Sequence, residues 1–181
     1  MTEKKSKAQY VNNKDFLAAL IVYRDSVAKA KEENKPRPQV PNYVGECVMK
    51  IATHLARKPN FINYTFKDEM ISDGIENCLQ YIDNFNPDTS KNPFAYFTQI
   101  IWFAFLRRIQ KEKKLLYTKY KLTEQINLMN ITSDRQDHDA TTNFNDSMKM
   151  TEWSEEYMQN FIKDFEENKR RQVKKRVKKS Q

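Results

Sequence analysis

The sequence predicts an all-α protein. A flexible N-terminus (1–12) leads into a compact helical bundle over residues 13–120. A polar, acidic linker (121–150) and a separate C-terminal helix with a basic tail (151–181) follow. Three observations lead there. Only two glycines and six prolines are present among 181 residues, too few turn-formers for a β-sandwich or barrel. Apolar residues recur three and four apart in five segments, the period of helices with one buried face. The length suffices for one domain with its own core plus an appendage.

The first helix is expected from Lys14 to about Glu33, with Phe16, Leu17, Leu20, Ile21 and Val27 as its stripe and Asn13 as N-cap. "NKPRPQVP" then carries Pro36, Pro38 and Pro41, which exclude helix and mark a linker. Tyr43, Val44, Cys47, Val48, Ile51 and Leu55 form the second stripe, which Pro59 stops. After the short connection "FINYT", a third helix is expected from Phe66 to Asn84, with Met70, Ile71, Ile75, Cys78, Leu79, Ile82 and Phe85 on its apolar side. Gly74 inside it costs about 1 kcal/mol relative to alanine and suggests a close helix crossing. "NPDTSKNP" is a turn. Asn92 can cap the fourth helix, with Pro93 at its first position, where a missing N–H costs little. That helix should run to about Tyr120. Residues 121–150 are weakly periodic and read as loop. A fifth helix begins near Thr151, with Thr151 and Ser154 as possible caps and Trp153, Tyr157, Phe161 and Phe165 four apart.

Charge is strongly segregated within a net +8. Residues 106–121 carry 7 basic and 1 acidic group, residues 122–168 carry 3 and 11, and residues 169–181 carry 8 and none. Two basic blocks beside aromatic segments point to a polyanion, nucleic acid above all, although a charge run can equally be a solvated face. The two cysteines, Cys47 and Cys78, sit singly in apolar patterns and suit a reducing compartment. No apolar run approaches the roughly 18 residues of a membrane span, and "MTEKKSKAQY" has no apolar signal core. The expected setting is cytoplasmic, without a membrane partner.

Catalytic constellations are not apparent. His54 reads as a rim residue on a helix. His138 lies in "RQDHDA", which lacks the ordered spacing of a calcium loop. With two glycines, a phosphate-cradling loop is nearly ruled out. The expectation is a binding protein, not an enzyme, with no cofactor and no metal.

The segment "NPFAYFTQIIWFAFLRRIQKEKK" (Asn92–Lys114) is the most informative. Phe94, Phe97, Ile101, Phe105 and Ile109 share one stripe, which should be buried. Tyr96, Gln99, Ile100, Phe103 and Arg107 form a neighbouring stripe, with Trp102 and Leu106 nearer the core side. Rings left outside can stack on unpaired bases, at roughly 1–3 kcal/mol each, while the basic run neutralises phosphates. The alternative is that every ring is core.

"EMISDGIENCLQYIDNF" (Glu69–Phe85) followed by "NPFAYFTQIIWFAFLRRI" (Asn92–Ile109) resembles region 2 of bacterial sigma factors. More closely, residues 10–120 are similar to the late-transcription sigma factors of T-even-type tailed phages. The resemblance implies that Glu69, Ser72, Asp73, Ile75, Glu76 and Leu79 face the clamp-helix coiled coil of host bacterial core RNA polymerase. Ser72 and Ile75 stand where primary sigmas carry polar amides. It also implies that the next helix reads and melts a promoter −10 element. Tyr96 matches the family's base-stacking tyrosine and Thr98 a neighbouring threonine. Gln99 and Ile100 occupy the place of the tryptophan pair that wedges the duplex in primary sigmas. Phe103 and Leu106 take the positions that read the upstream edge, and Phe103 or Trp102 could replace the wedge. Arg107 is a basic match, and Arg108, Lys111, Lys113 and Lys114 would hold the duplex backbone.

No helix-turn-helix for a −35 element is legible after residue 121. The resemblance implies instead a helix on the polymerase flap, for which "EWSEEYMQNFIKDFEE" offers Trp153, Tyr157, Phe161, Ile162 and Phe165 as anchors. Packing on its own chain is the alternative. The family also works with a phage coactivator and a sliding clamp. The basic "VKKRVKKSQ" is opposite in charge to the family's clamp-binding tail and suits DNA or a solvated end. The protein implied is a late sigma factor acting in the cytoplasm of the infected bacterial host. A polymerase-independent single-strand binder, or a polymerase-binding regulator that reads no DNA, are the other function classes.

Overall fold

The computed structural model describes residues 10–133 and 152–179, with side chains over 10–126 and 156–175 and at Val177. Among the described residues every regular element is helical: α1 (Asn13–Glu32), α2 (Asn42–Ala56), α3 (Lys67–Gln80), a 3-10 turn (Ile82–Asn84), α4 (Pro93–Ser133) and α5 (Glu152–Lys179). No helix among them is long and apolar enough to cross a membrane. Two compact units result, Met1–Ile109 and Gln110–Gln181, and the division falls inside α4.

In the first unit α1, α2, α3 and the first part of α4 close around one core. Phe16 of α1, Val44, Val48 and Ile51 of α2, Met70 of α3 and Phe97, Ile101 and Phe105 of α4 are enclosed, with Phe61 from the α2–α3 connection. Each contributes about 1.5–3 kcal/mol by leaving water. Phe61 meets Trp102 and Phe105 edge-on at 4.9 and 5.1 Å, the preferred aromatic geometry. Gly74 lets α3 lie directly on α4. A Cβ there would stand 3.0 Å from Ile101 Cγ2 and 3.2 Å from Phe105 Cε1.

The helix ends show their chemistry. Asn12, not Asn13, caps α1, accepting from the Lys14 N–H at 3.1 Å. Asn13 instead reaches α4, where its Oδ1 accepts from the Phe94 N–H at 3.2 Å. Asn92 caps the same helix end by accepting from the Ala95 N–H at 3.0 Å, as expected. At the other end of α1, Asn34 takes the left-handed φ of 51°. The Lys35 N–H then donates to the Ala30 carbonyl at 2.8 Å, closing the helix as a Schellman cap.

In the second unit α4 and α5 pack side by side. Tyr117 stacks on Phe165 at 4.5 Å, and Tyr120 meets Phe161 edge-on at 5.5 Å. Met158 and Ile162 are buried. The Tyr117 hydroxyl donates to Glu166 at 3.0 Å, a bond that raises the phenol above its ordinary pKa.

Two expectations are thereby corrected. The linker expected over 121–150 is helical as far as Ser133. No glycine or proline follows Pro93 in the chain, so nothing covalent stops α4 at Tyr120. The C-terminal helix is not separate, because α5 supplies the apolar cover that the second half of α4 lacks by itself.

Candidate functional site

α4 of the first unit presents two unlike faces. Phe97, Ile101, Phe105 and Ile109 are buried as their spacing predicts, while Phe94 is only half-buried. The outer stripe is more varied. The Tyr96 ring lies between Phe85 and Phe97, both at 5.2 Å, and its hydroxyl donates to the Tyr81 carbonyl at 3.1 Å. Burial raises its phenol above the ordinary range. Tyr96 is therefore held by its own chain, not presented as an open stacking surface. Thr98 closes on its own helix, donating to the Phe94 carbonyl at 2.7 Å. Ile100, Trp102 and Leu106 lean on the core edge. Gln99 is exposed, and Phe103 is 49% exposed, leaving much of its ring in water.

The two arginines differ sharply. Arg107 is exposed and donates to Asn77 Oδ1 at 2.7 Å. Asn77 is turned for this by its own amide, which donates to the Asp73 carbonyl at 2.6 Å. Arg108 forms a two-pronged pair with Asp73, Nε to Oδ2 and Nη2 to Oδ1, each at 2.7 Å. The side chains are only 17% and 29% exposed. The resemblance turns Asp73 toward polymerase and Arg108 toward DNA, but the two meet each other and fasten α3 to α4. Bidentate guanidinium–carboxylate bonds are among the stronger polar interactions.

On α3, Glu69, Ser72, Glu76 and Leu79 stay exposed and, being three or four apart, share one stripe. Ile75 packs against the core. Of the six α3 residues that the resemblance assigns to polymerase, four share this exposed stripe, while Asp73 and Ile75 turn inward. Residues not singled out from the sequence matter here: Asn77, which holds Arg107, and Tyr81, whose carbonyl anchors Tyr96. Their partners lie 30 and 15 residues away, and no local spacing signals such pairings.

In the second unit Lys111, Lys113 and Lys114 are exposed. Of the expected flap anchors, Phe161 and Phe165 pack on Tyr120 and Tyr117, Ile162 is buried, and Tyr157 is 54% exposed. The Trp153 side chain lies outside the described residues, as does His138. The self-packing alternative describes Phe161, Ile162 and Phe165.

No family model matches the chain, and no curated protein matches it. Among the described residues no three His, Cys, Asp or Glu side chains gather as a metal site. What the first unit offers chemically is an exposed ring flanked by an amide and a guanidinium, beside an acidic–apolar stripe on the adjoining helix.

Proposed function

We propose that this chain is a phage-type late sigma factor, which binds host core RNA polymerase and directs opening of an A/T-rich −10-like promoter element. The observation that carries the reading is Phe103. It is a large ring 49% exposed on a helix whose other rings are packed, one turn from Gln99 and one turn from Arg107. A ring in water on a rigid helix is a platform for an unstacked base. Gln99 can hydrogen-bond a base edge, and Arg107 can leave Asn77 for a phosphate. The resemblance of Glu69–Phe85 and Asn92–Ile109 to sigma region 2 supplies the class of partner. The stripe Glu69, Ser72, Glu76 and Leu79 suits a basic coiled coil, with Leu79 inserted among its side chains. Polymerase supplies the covalent chemistry.

The test is run-off transcription with host core polymerase on a supercoiled template bearing an A/T-rich −10-like element and no −35 element. Phe103→Ala/Arg107→Ala should lower specific initiation roughly five- to hundredfold, because it removes one stack of about 1–3 kcal/mol and one phosphate partner. Its thermal midpoint should stay near wild type, because neither side chain belongs to the core. Equal initiation by both proteins, with polymerase binding intact, would favour a regulator that reads no DNA. Absence of polymerase binding would favour a free nucleic-acid-binding module.

A further inference from the structure

The helices of the second unit run antiparallel, since Tyr117 meets Phe165 and Glu166 while Tyr120 meets Phe161. Each residue forward on α5 is therefore level with one residue back on α4. Lys169 stands one turn beyond Phe165, on the same face of α5. Lys113 stands one turn before Tyr117, on the same face of α4. The register sets the two lysines opposite each other where the aromatic seam stops.

This is an unfavourable place for two ammonium groups. Both are exposed, and among the described residues no ion pair holds either. Basic groups outnumber acidic ones around them: Glu112 is the one acidic residue in 106–121, and Glu166 is engaged with Tyr117 and Lys121. Lys111, Lys114 and Arg170 are exposed alongside, and no acidic residue follows Glu167 in the sequence. Arg171 reaches back to Glu167 at 3.3 Å, which leaves the rest of the run uncompensated. Like charges converging from two helices destabilise the hairpin end unless an anion sits between them.

We propose that this end of the hairpin is a second DNA-binding surface, a sequence-independent grip on the phosphate backbone of double-stranded DNA centred on Lys113 and Lys169. Two packed helices hold their axes about 8–10 Å apart, so opposing lysines can reach one phosphate and their neighbours the next. A single strand would call for exposed rings to stack on. The nearby rings, Tyr117 and Phe165, are stacked on each other. A protein partner would call for a large apolar centre, whereas the exposed apolar residues here are Leu115 on α4 and the small pair Val173 and Val177 on α5, set among lysines and arginines. The surface adds to the reading above without depending on polymerase.

The test is binding of the full chain to a random-sequence duplex, read by fluorescence anisotropy as salt is raised. Lys113→Gln/Lys169→Gln/Arg170→Gln should weaken binding at least tenfold at low salt. It should also flatten the slope of log K against log salt by about 2–3, at about 0.9 for each phosphate no longer neutralised. The charge-matched control Lys29→Gln/Lys31→Gln/Lys58→Gln, exposed on the first unit, should keep the wild-type slope. Lys169→Glu should weaken DNA binding while retaining the thermal midpoint, because it can pair with Lys113; a purely structural lysine would lose both together. Equal losses in the control, an unchanged slope, tighter binding to a single strand of equal length, or equal competition by polyglutamate would overturn the proposal. These outcomes are read without polymerase and with Phe103 and Arg107 intact in every variant, so failure here is distinguishable from failure of the initiation experiment.

Discussion

Asp73 and Arg108 show what a single residue's identity leaves open. From the sequence each is a charged position on an amphipathic helix, and either could serve an outside partner. The structure joins them by two bonds of 2.7 Å. They are 35 residues apart, so no helical spacing announces the pair. Asp73→Asn and Arg108→Gln should each destabilise the first unit by about 1–3 kcal/mol, because each leaves a half-buried charge without its partner. In a denaturant double-mutant cycle the losses should fall well short of adding. Strict additivity would mean that the pair does not fasten α3 to α4. The same limit explains Tyr96 and Phe103. Both are rings on the outer stripe, and sequence spacing ranks them equally. What separates them is the Tyr81 carbonyl and the Phe85 ring, brought to Tyr96 by the turn after α3.

At the scale of elements, periodicity is a sound guide to faces and a weak one to ends. The buried side of α4 follows from the spacing of Phe97, Ile101, Phe105 and Ile109, because burial of those side chains is what stabilises the helix in water. Its continuation past Tyr120 does not follow, since the rings that cover Tyr117 and Tyr120, Phe165 and Phe161, come from α5. Asn12 and Asn13 are chemically alike, and only the path of the chain decides which caps α1 and which reaches α4. Gly74 is the element-scale feature that the sequence does suggest. Gly74→Ala gains about 1 kcal/mol in helix propensity but forces a methyl to 3.0 Å from Ile101. Overpacking typically costs about 1–3 kcal/mol. The net expectation is a loss of about 1 kcal/mol in urea unfolding, growing to several with Gly74→Val. A stabilised Gly74→Ala protein would show that α3 and α4 can separate slightly at no cost.

For the whole molecule, the titration behaviour has one direction. Burial pushes the Cys78 thiol up to about 12, and its Sγ–H donates to the Phe97 carbonyl at 3.9 Å. Cys47, Tyr10, Tyr43, Tyr96 and Tyr120 are raised above their ordinary values, chiefly by burial. Lys121 is raised by its bond to Glu124. In every case the folded chain holds its proton more tightly than the unfolded chain. The stabilisation is thus complete below the unfolded values, near pH 9 for the thiols, and is lost as pH rises toward the folded ones. The thermal midpoint should stay level through neutrality and fall steeply above about pH 9. Cys78→Ala should make that fall shallower, whatever its effect at neutral pH. An equally steep fall in the variant would assign alkaline unfolding to the tyrosines.

Phe103 shares a helix with four residues of the core yet contributes little to enclosing that core. A lineage can therefore exchange it for another side chain without endangering the fold, whereas Phe97 or Phe105 cannot drift in this way. Folding thus constrains one face of this helix and leaves the other free to vary, so the recognition surface proposed above can change by a single codon without cost to the core.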